Sequence, residues 1–185
     1  GDRLSEHFAF TFNQLMEGGG VGANYSSKYL DKYSIGTLIN VEIVCSPEHD
    51  DYEDLKAKGL LSTNFHPDYT GAIEVDDSRE GWVSALTQVI DESERFTVFS
   101  DDVGTLVYDV SNIRASGKRI KTFGGTSAGP VPFARMLLGV SQLLREAWEI
   151  GVSGPIAMAI DHVIATCVVS GNVRRSARMS IMHWR

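Results

Sequence analysis

Apolar positions recur at helical spacing at the start of this chain. Leu4, Phe8, Phe12 and Leu15 share one side, and the pattern predicts a helix over Leu4–Met16 that ends at Gly18-Gly19-Gly20. Val21 to Tyr25 then reads as a short strand with trimmed side chains, the kind of place where a ligand or another backbone approaches closely. Ile35 to Val44 is rich in β-branched residues and predicts a strand closed by Pro47. An acidic, exposed stretch from Glu48 to Asp54 precedes a short helix near Leu55, and His49 and His66 read as surface residues. Asp77-Ser78 caps a helix whose apolar face is Trp82, Leu86, Val89 and Ile90. Strands are expected at Phe96–Phe99 and Thr105–Val110. A helix starting near Pro130 buries Phe133, Met136, Leu137, Val140, Leu144 and Trp148, and ends at Gly151. The next starts at Ser153-Gly154-Pro155 and runs to about Val169; being apolar nearly all round, it is expected to be deeply buried.

Composition narrows the class. At 185 residues and 43% hydrophobic content the chain suits one globular domain, or a piece of a larger one. No apolar run approaches the ~20 residues that span a bilayer. The polar N-terminus lacks a secretory pattern, so a cytoplasmic location and no membrane partner are the expectation. Cys45 and Cys167 lie far apart in apolar contexts, as buried free thiols do. Charge is lopsided: residues 1–111 hold 7 Lys/Arg against 21 Asp/Glu, and residues 112–185 hold 10 against 3. The basic half meets an anion, or else it faces the acidic half. A net charge of −7 argues against direct DNA binding.

Two stretches carry candidate anion chemistry. Ser111–Gly129 has no clear periodicity; it holds Arg114, Lys118, Arg119 and Lys121, then Gly124-Gly125-Thr126-Ser127, and leads into a helix. Free backbone N–H groups, a helix dipole and lysines together suit phosphate. It is not a Walker A loop, since Gly117-Lys118 is followed by Arg119. The second stretch, 170–178, ends the long apolar run in Ser170-Gly171-Asn172-Val173-Arg174-Arg175-Ser176-Ala177. Paired guanidinium groups match phosphate oxygens and stack on bases; a solvated turn is the plainer alternative. Asp161-His162 is a possible catalytic pair, though a histidine satisfied by a structural partner is commoner. No metal-ligand pattern and no nucleophile–base arrangement emerges, so no catalytic residue and no metal ligand is assigned.

Five blocks in order resemble class II ribonucleotide reductase, the adenosylcobalamin-dependent type acting on ribonucleoside triphosphates. They are Gln14-Leu15-Met16-Glu17-Gly18-Gly19-Gly20-Val21-Gly22, Asp77-Ser78-Arg79-Glu80-Gly81-Trp82, Tyr108-Asp109-Val110-Ser111-Asn112-Ile113-Arg114, Ile120-Lys121-Thr122-Phe123-Gly124-Gly125-Thr126-Ser127-Ala128-Gly129-Pro130 and Ser170–Ala177. The resemblance implies an α/β fold, the first part of a ten-stranded α/β barrel that is incomplete in this chain. It implies that Gly18, Gly19 and Gly20 lie against the substrate ribose, and that Asn172, Arg174, Arg175 and Ser176 contact substrate and effector. It implies that Arg114, Lys118, Arg119, Lys121, Gly124, Gly125, Thr126 and Ser127, in an effector-region loop over 111–130, hold a deoxynucleotide effector. Adenosylcobalamin, a thiyl-radical cysteine and a redox cysteine pair served by a thioredoxin-type reductant are implied for the remainder of the enzyme. By that resemblance the first cysteine of the pair would lie just before residue 1, and the others beyond residue 185.

Two other readings stay open on the residues alone. One is a non-catalytic nucleotide-binding or assembly module of a split enzyme. The other is an unrelated α/β protein whose basic half binds a phosphorylated metabolite.

Overall fold

The computed structural model describes residues 2–96, 103–121, 124–171 and 177–181. Its elements in chain order are α1 Leu4–Met16, β1 Gly20–Asn24, α2 Ser27–Leu30, β2 Ile39–Val44, α3 Tyr52–Ala57, β3 Ile73–Glu74, α4 Arg79–Glu94, β4 Gly104–Asp109, α5 Val131–Ile150, α6 Gly154–Gly171 and β5 Ala177–Ile181.

The strands form two parallel sheets. One is the pair β1-β5, with Gly20 opposite Ala177 and Asn24 opposite Ile181. The other has the order β2-β4-β3, with Ile39 opposite Gly104 and Ile73 opposite Tyr108. Parallel neighbours need long crossovers. Here α3 and α4 lie between β2 and β4 in the chain, and nearly the whole chain lies between β1 and β5. The class is α/β, as expected; a closed barrel is not visible among the described residues.

One hydrophobic core joins the layers. α1 packs on α4 and α6, and α5 packs on α6, α4 and β2. Phe8 and Phe12 of α1, Leu86 and Ile90 of α4, Phe133 and Leu137 of α5, and Ile160 and Ile164 of α6 are all fully buried. Polar ties complete the helix ends. Arg3 offers α1 no side-chain cap, so Glu94 at the end of α4 accepts the free Leu4 N–H at 3.2 Å. Burial pushes the Glu94 carboxyl above its ordinary value. Ser78 caps α4, its side chain accepting from the Gly81 N–H.

Several expectations shift. The strand predicted from Ile35 begins only at Ile39. The N–H groups of Gly36 and Thr37 donate to the Ser93 carbonyl at 2.9 and 3.1 Å, and the Thr37 hydroxyl donates to that of Arg95. These residues finish the end of α4 instead of pairing in a sheet. Trp148, predicted in the buried stripe of α5, is 43% exposed. Its turn is the last of the helix, where Ala147 faces the core and Ile150 is exposed. α6 is buried along Ile156, Ala157, Ile160, Asp161, Ile164, Cys167 and Val168, while His162, Thr166 and Val169 are exposed. It is therefore buried on one side and not all round. The predicted strand at 96–99 lies outside the described residues except for Phe96, which is exposed.

The core predicts a contrast. Phe12→Ala should cost about 3–5 kcal/mol in urea denaturation, whereas Trp148→Ala should change stability by less than about 1 kcal/mol.

Candidate functional site

The described residues of 111–130 pair as the two arms of a hairpin, 117–120 against 125–127, braced by acids from elsewhere. Gly117 N–H donates to the Ser127 carbonyl at 2.8 Å, Ser127 N–H returns to Lys118 at 2.8 Å, and Ile120 N–H donates to Gly125 at 3.0 Å. Arg119 and Thr126 form an antiparallel bridge. The Ser127 hydroxyl donates to the Arg114 carbonyl and accepts from the Gly129 N–H. At its base, the Asp51 carboxylate accepts from the Ser116 N–H at 2.7 Å. Gly129 lies over that carboxylate with φ at +74°, where an added Cβ would stand 2.5 Å from Asp51 Oδ2. Ser111 joins β2 to β4: its hydroxyl accepts from the Ser46 N–H at 2.7 Å and donates to Asp109 at 2.5 Å.

The cations here are partly answered by the acidic half. Arg114 Nε lies 3.2 Å from Asp77 and its Nη1 donates to the Arg119 carbonyl at 3.1 Å. Lys118 Nζ lies 3.6 Å from Asp50. Arg119, Lys121, Gly124, Gly125 and Thr126 are exposed on the same hairpin, and Ser127 is half-buried. Gly129 and the first turn of α5 are buried. The part of this stretch open to a ligand is therefore the hairpin rather than the helix N-terminus. His49, read as a surface residue, is half-buried between the acidic loop and the hairpin base. Its Nε2–H donates to the Ile113 carbonyl at 2.7 Å and its Nδ1 accepts from the Asp51 N–H at 3.0 Å.

The glycine turn is a helix stop. Gly18, with φ at +82°, donates to the Leu15 carbonyl, and Gly19 donates to Gln14 at 2.8 Å. Gly18 and Gly20 are exposed and Gly19 is half-buried. β1 leaves this turn and pairs with β5 from its first residue, Gly20 opposite Ala177. The turn thus adjoins the chain that leads out of 172–176. Asn172, Arg174, Arg175 and Ser176 themselves lie outside the described residues.

Asp161 does not pair with His162, which is exposed. It is fully buried, and its Oδ2 accepts from the Tyr25 hydroxyl and from His7 Nε2, the latter at 2.8 Å. Its Oδ1 has no hydrogen-bond partner among the described residues. His7 and Tyr25 were not singled out by the sequence, because they lie 154 and 136 positions from Asp161. Both cysteines are buried and free. Burial pushes the Cys45 thiol up to about 11 and that of Cys167 up to about 12.

A family model described as B12-dependent ribonucleotide reductase, insertion domain, matches residues 39–144. The chain belongs to this family. It is 49% identical to a protein of Mycobacterium phage D29 named "putative adenosylcobalamin-dependent ribonucleoside-triphosphate reductase", over 99% of this chain and 28% of that protein. The corresponding reductase of Lacticaseibacillus paracasei is 35% identical over 96% of this chain and 24% of its own length. A crystal structure of a B12-dependent class II ribonucleotide reductase superposes with a TM-score of 0.80 at 27% identity, over 98% of this chain and 25% of the other. The chain thus spans about a quarter of the length of the relatives it matches. The matched region, 39–144, contains β2 to most of α5 and with them the whole hairpin.

Two outcomes follow from this geometry. Gly129→Ala should destabilise the hairpin by at least about 1–2 kcal/mol, seen as faster amide exchange at Gly117 and Ser127. Cys45 and Cys167 should resist iodoacetamide at pH 8 in the folded protein, because the thiolate is the reactive form and burial suppresses it; both should label in denaturant.

Proposed function

We propose that this segment is part of a ribonucleotide reductase that converts ribonucleoside triphosphates to 2′-deoxyribonucleotides by radical chemistry. In it, the hairpin within 111–130 holds a deoxynucleoside triphosphate effector, and the glycine turn with the 170–178 loop faces the substrate. β1 and β5 are then neighbouring strands of the ten-stranded barrel, whose other strands come from the remainder of the enzyme or a split subunit. The observation that carries this reading is the parallel pairing of Gly20 with Ala177. It sets the glycine turn, where small residues leave room for a sugar, beside Ala177, which follows Asn172, Arg174, Arg175 and Ser176 in the chain. Arg114, Lys118, Arg119 and Lys121 supply the charge for effector phosphates, and Gly124, Gly125, Thr126 and Ser127 supply backbone and hydroxyl donors.

The relatives are named as adenosylcobalamin-dependent. Nothing among the described residues identifies a cobalamin site. Both cysteines are buried with raised pKa values, and no three His, Cys, Asp or Glu side chains cluster among the described residues. We assign the cobalamin, the radical cysteine and the cysteine pair that a thioredoxin-type reductant would serve to the remainder of the enzyme. None of the described helices is long and apolar enough to cross a membrane.

Calorimetric titration of the full enzyme with each deoxynucleoside triphosphate tests the effector assignment. Lys118→Ala with Arg119→Ala should weaken binding by about tenfold or more; unchanged affinity would refute it. Arg174→Ala or Arg175→Ala should blunt the dependence of substrate choice on effector, read as relative turnover of the four ribonucleotides. Unaltered preferences would remove these arginines from the site.

A further inference from the structure

Two ion pairs meet at the start of α4. Arg79, the first residue of that helix, donates from Nη1 to Glu17 Oε1 at 2.5 Å. Glu17 is the C-cap of α1, the residue immediately before the glycine turn. Two positions before Arg79, Asp77 holds Arg114 at 3.2 Å, and Arg114 also binds the Arg119 carbonyl of the hairpin. The turn and the hairpin are thus each tied to one four-residue head, Asp77 to Glu80.

The placement of the first pair is unusual. A carboxylate at a helix C-terminus and a guanidinium at a helix N-terminus each oppose the local dipole. Glu80 beside Arg79, 3.2 Å away, suits the end of α4 where it lies. Neither Glu17 nor Arg79 suits its own helix; each suits the other. Both are about half exposed, at 49% and 39%, so the pair adds little to overall stability. What it does is hold the turn to the head of α4.

We propose that Glu17 and Arg79 are positioning residues for substrate choice. Together with Asp77 they link the glycine turn to the hairpin, so that displacement of one is felt by the other. This rests on the reading of those two stretches as substrate-facing and effector-holding. Connections in series fail at any link, which gives the test its form.

The test uses the full enzyme with two readouts. The first is amide exchange at 116–121 and at 18–20. The second is the effector-induced change in preference among the four ribonucleotides. Glu17→Gln should speed exchange in both segments, and the effector-induced change should shrink roughly two- to fivefold, the range open to an exposed pair. Asp77→Asn should shrink it as much, and the double variant no further. The swap Glu17→Arg with Arg79→Glu restores the pair in an orientation both helix dipoles favour; it should recover the effector response. If Glu17→Gln speeds exchange only at the turn, or the Glu17 and Asp77 effects add, the link is overturned. If exchange couples the segments while Lys118→Ala with Arg119→Ala leaves effector binding unchanged, the link stands mechanically. The effector assignment and the proposed role in substrate choice then fail.

Discussion

A single sealed carboxylate organises the end of this fold opposite the glycine turn. Asp161 has no exposed surface, and an unpaired charge there would cost several kcal/mol. It is met by the Tyr25 hydroxyl and by His7, so α1, β1 and α6 must converge at one point. Tyr25 also donates its N–H to the Ile181 carbonyl at 2.8 Å, at the far end of β5. One residue therefore meets Asp161 Oδ2 and closes the strand pair. A one-residue slip of β1 would turn Val21 and Ala23 out of the core, and it would also carry Tyr25 away from Asp161. Register at the far end is what keeps Gly20 opposite Ala177 at the near end.

The charge asymmetry of the chain resolves into local neutralisation with an excess left over. Asp50 and Asp77 answer Lys118 and Arg114, while Asp51 serves a backbone N–H. The acids do more than balance charge, because they give an otherwise aperiodic loop its shape. The same contacts set a condition on any phosphate that binds the hairpin. Exposed Arg119 and Lys121 are open to it at once, whereas Lys118 must first leave Asp50. At 3.6 Å and more than 60% exposure of both side chains, that pair is a weak competitor.

Helices α1, α4 and α5 were legible because periodic apolar residues and Gly, Ser or Pro boundary signals agree there. β2 and β4 were legible as runs of β-branched residues, with an error at the start of β2 where the backbone is captured by the end of α4. β3, β5 and the single turn of α2 were not. A two-residue strand has no period, and β5 exists only through a partner more than 150 residues away. The site shows the same division. The hairpin residues could be named from charge and glycine content, but the acids that brace them could not. Asp161 and His162 do not meet, because neighbours on a helix point about 100° apart. Glu17 and Arg79 carry no signal in the sequence, since each breaks a rule of its own helix and the reason lies in the other.

The blocks that resemble class II reductases are therefore not five independent motifs. Asp77-Ser78-Arg79-Glu80-Gly81-Trp82 is the hub among the described residues. Arg79 reaches the glycine block, Asp77 reaches the end of the Tyr108–Arg114 block, and Trp82 packs at a tilt against Phe133 of α5 with ring centres 4.9 Å apart. Such a segment contributes little chemistry of its own. A helix start is suited to the task, because the cap fixes its backbone while its first side chains remain free to reach several neighbours. Short, separate stretches of polar sequence are in this way joined across a core that is itself apolar and rigid.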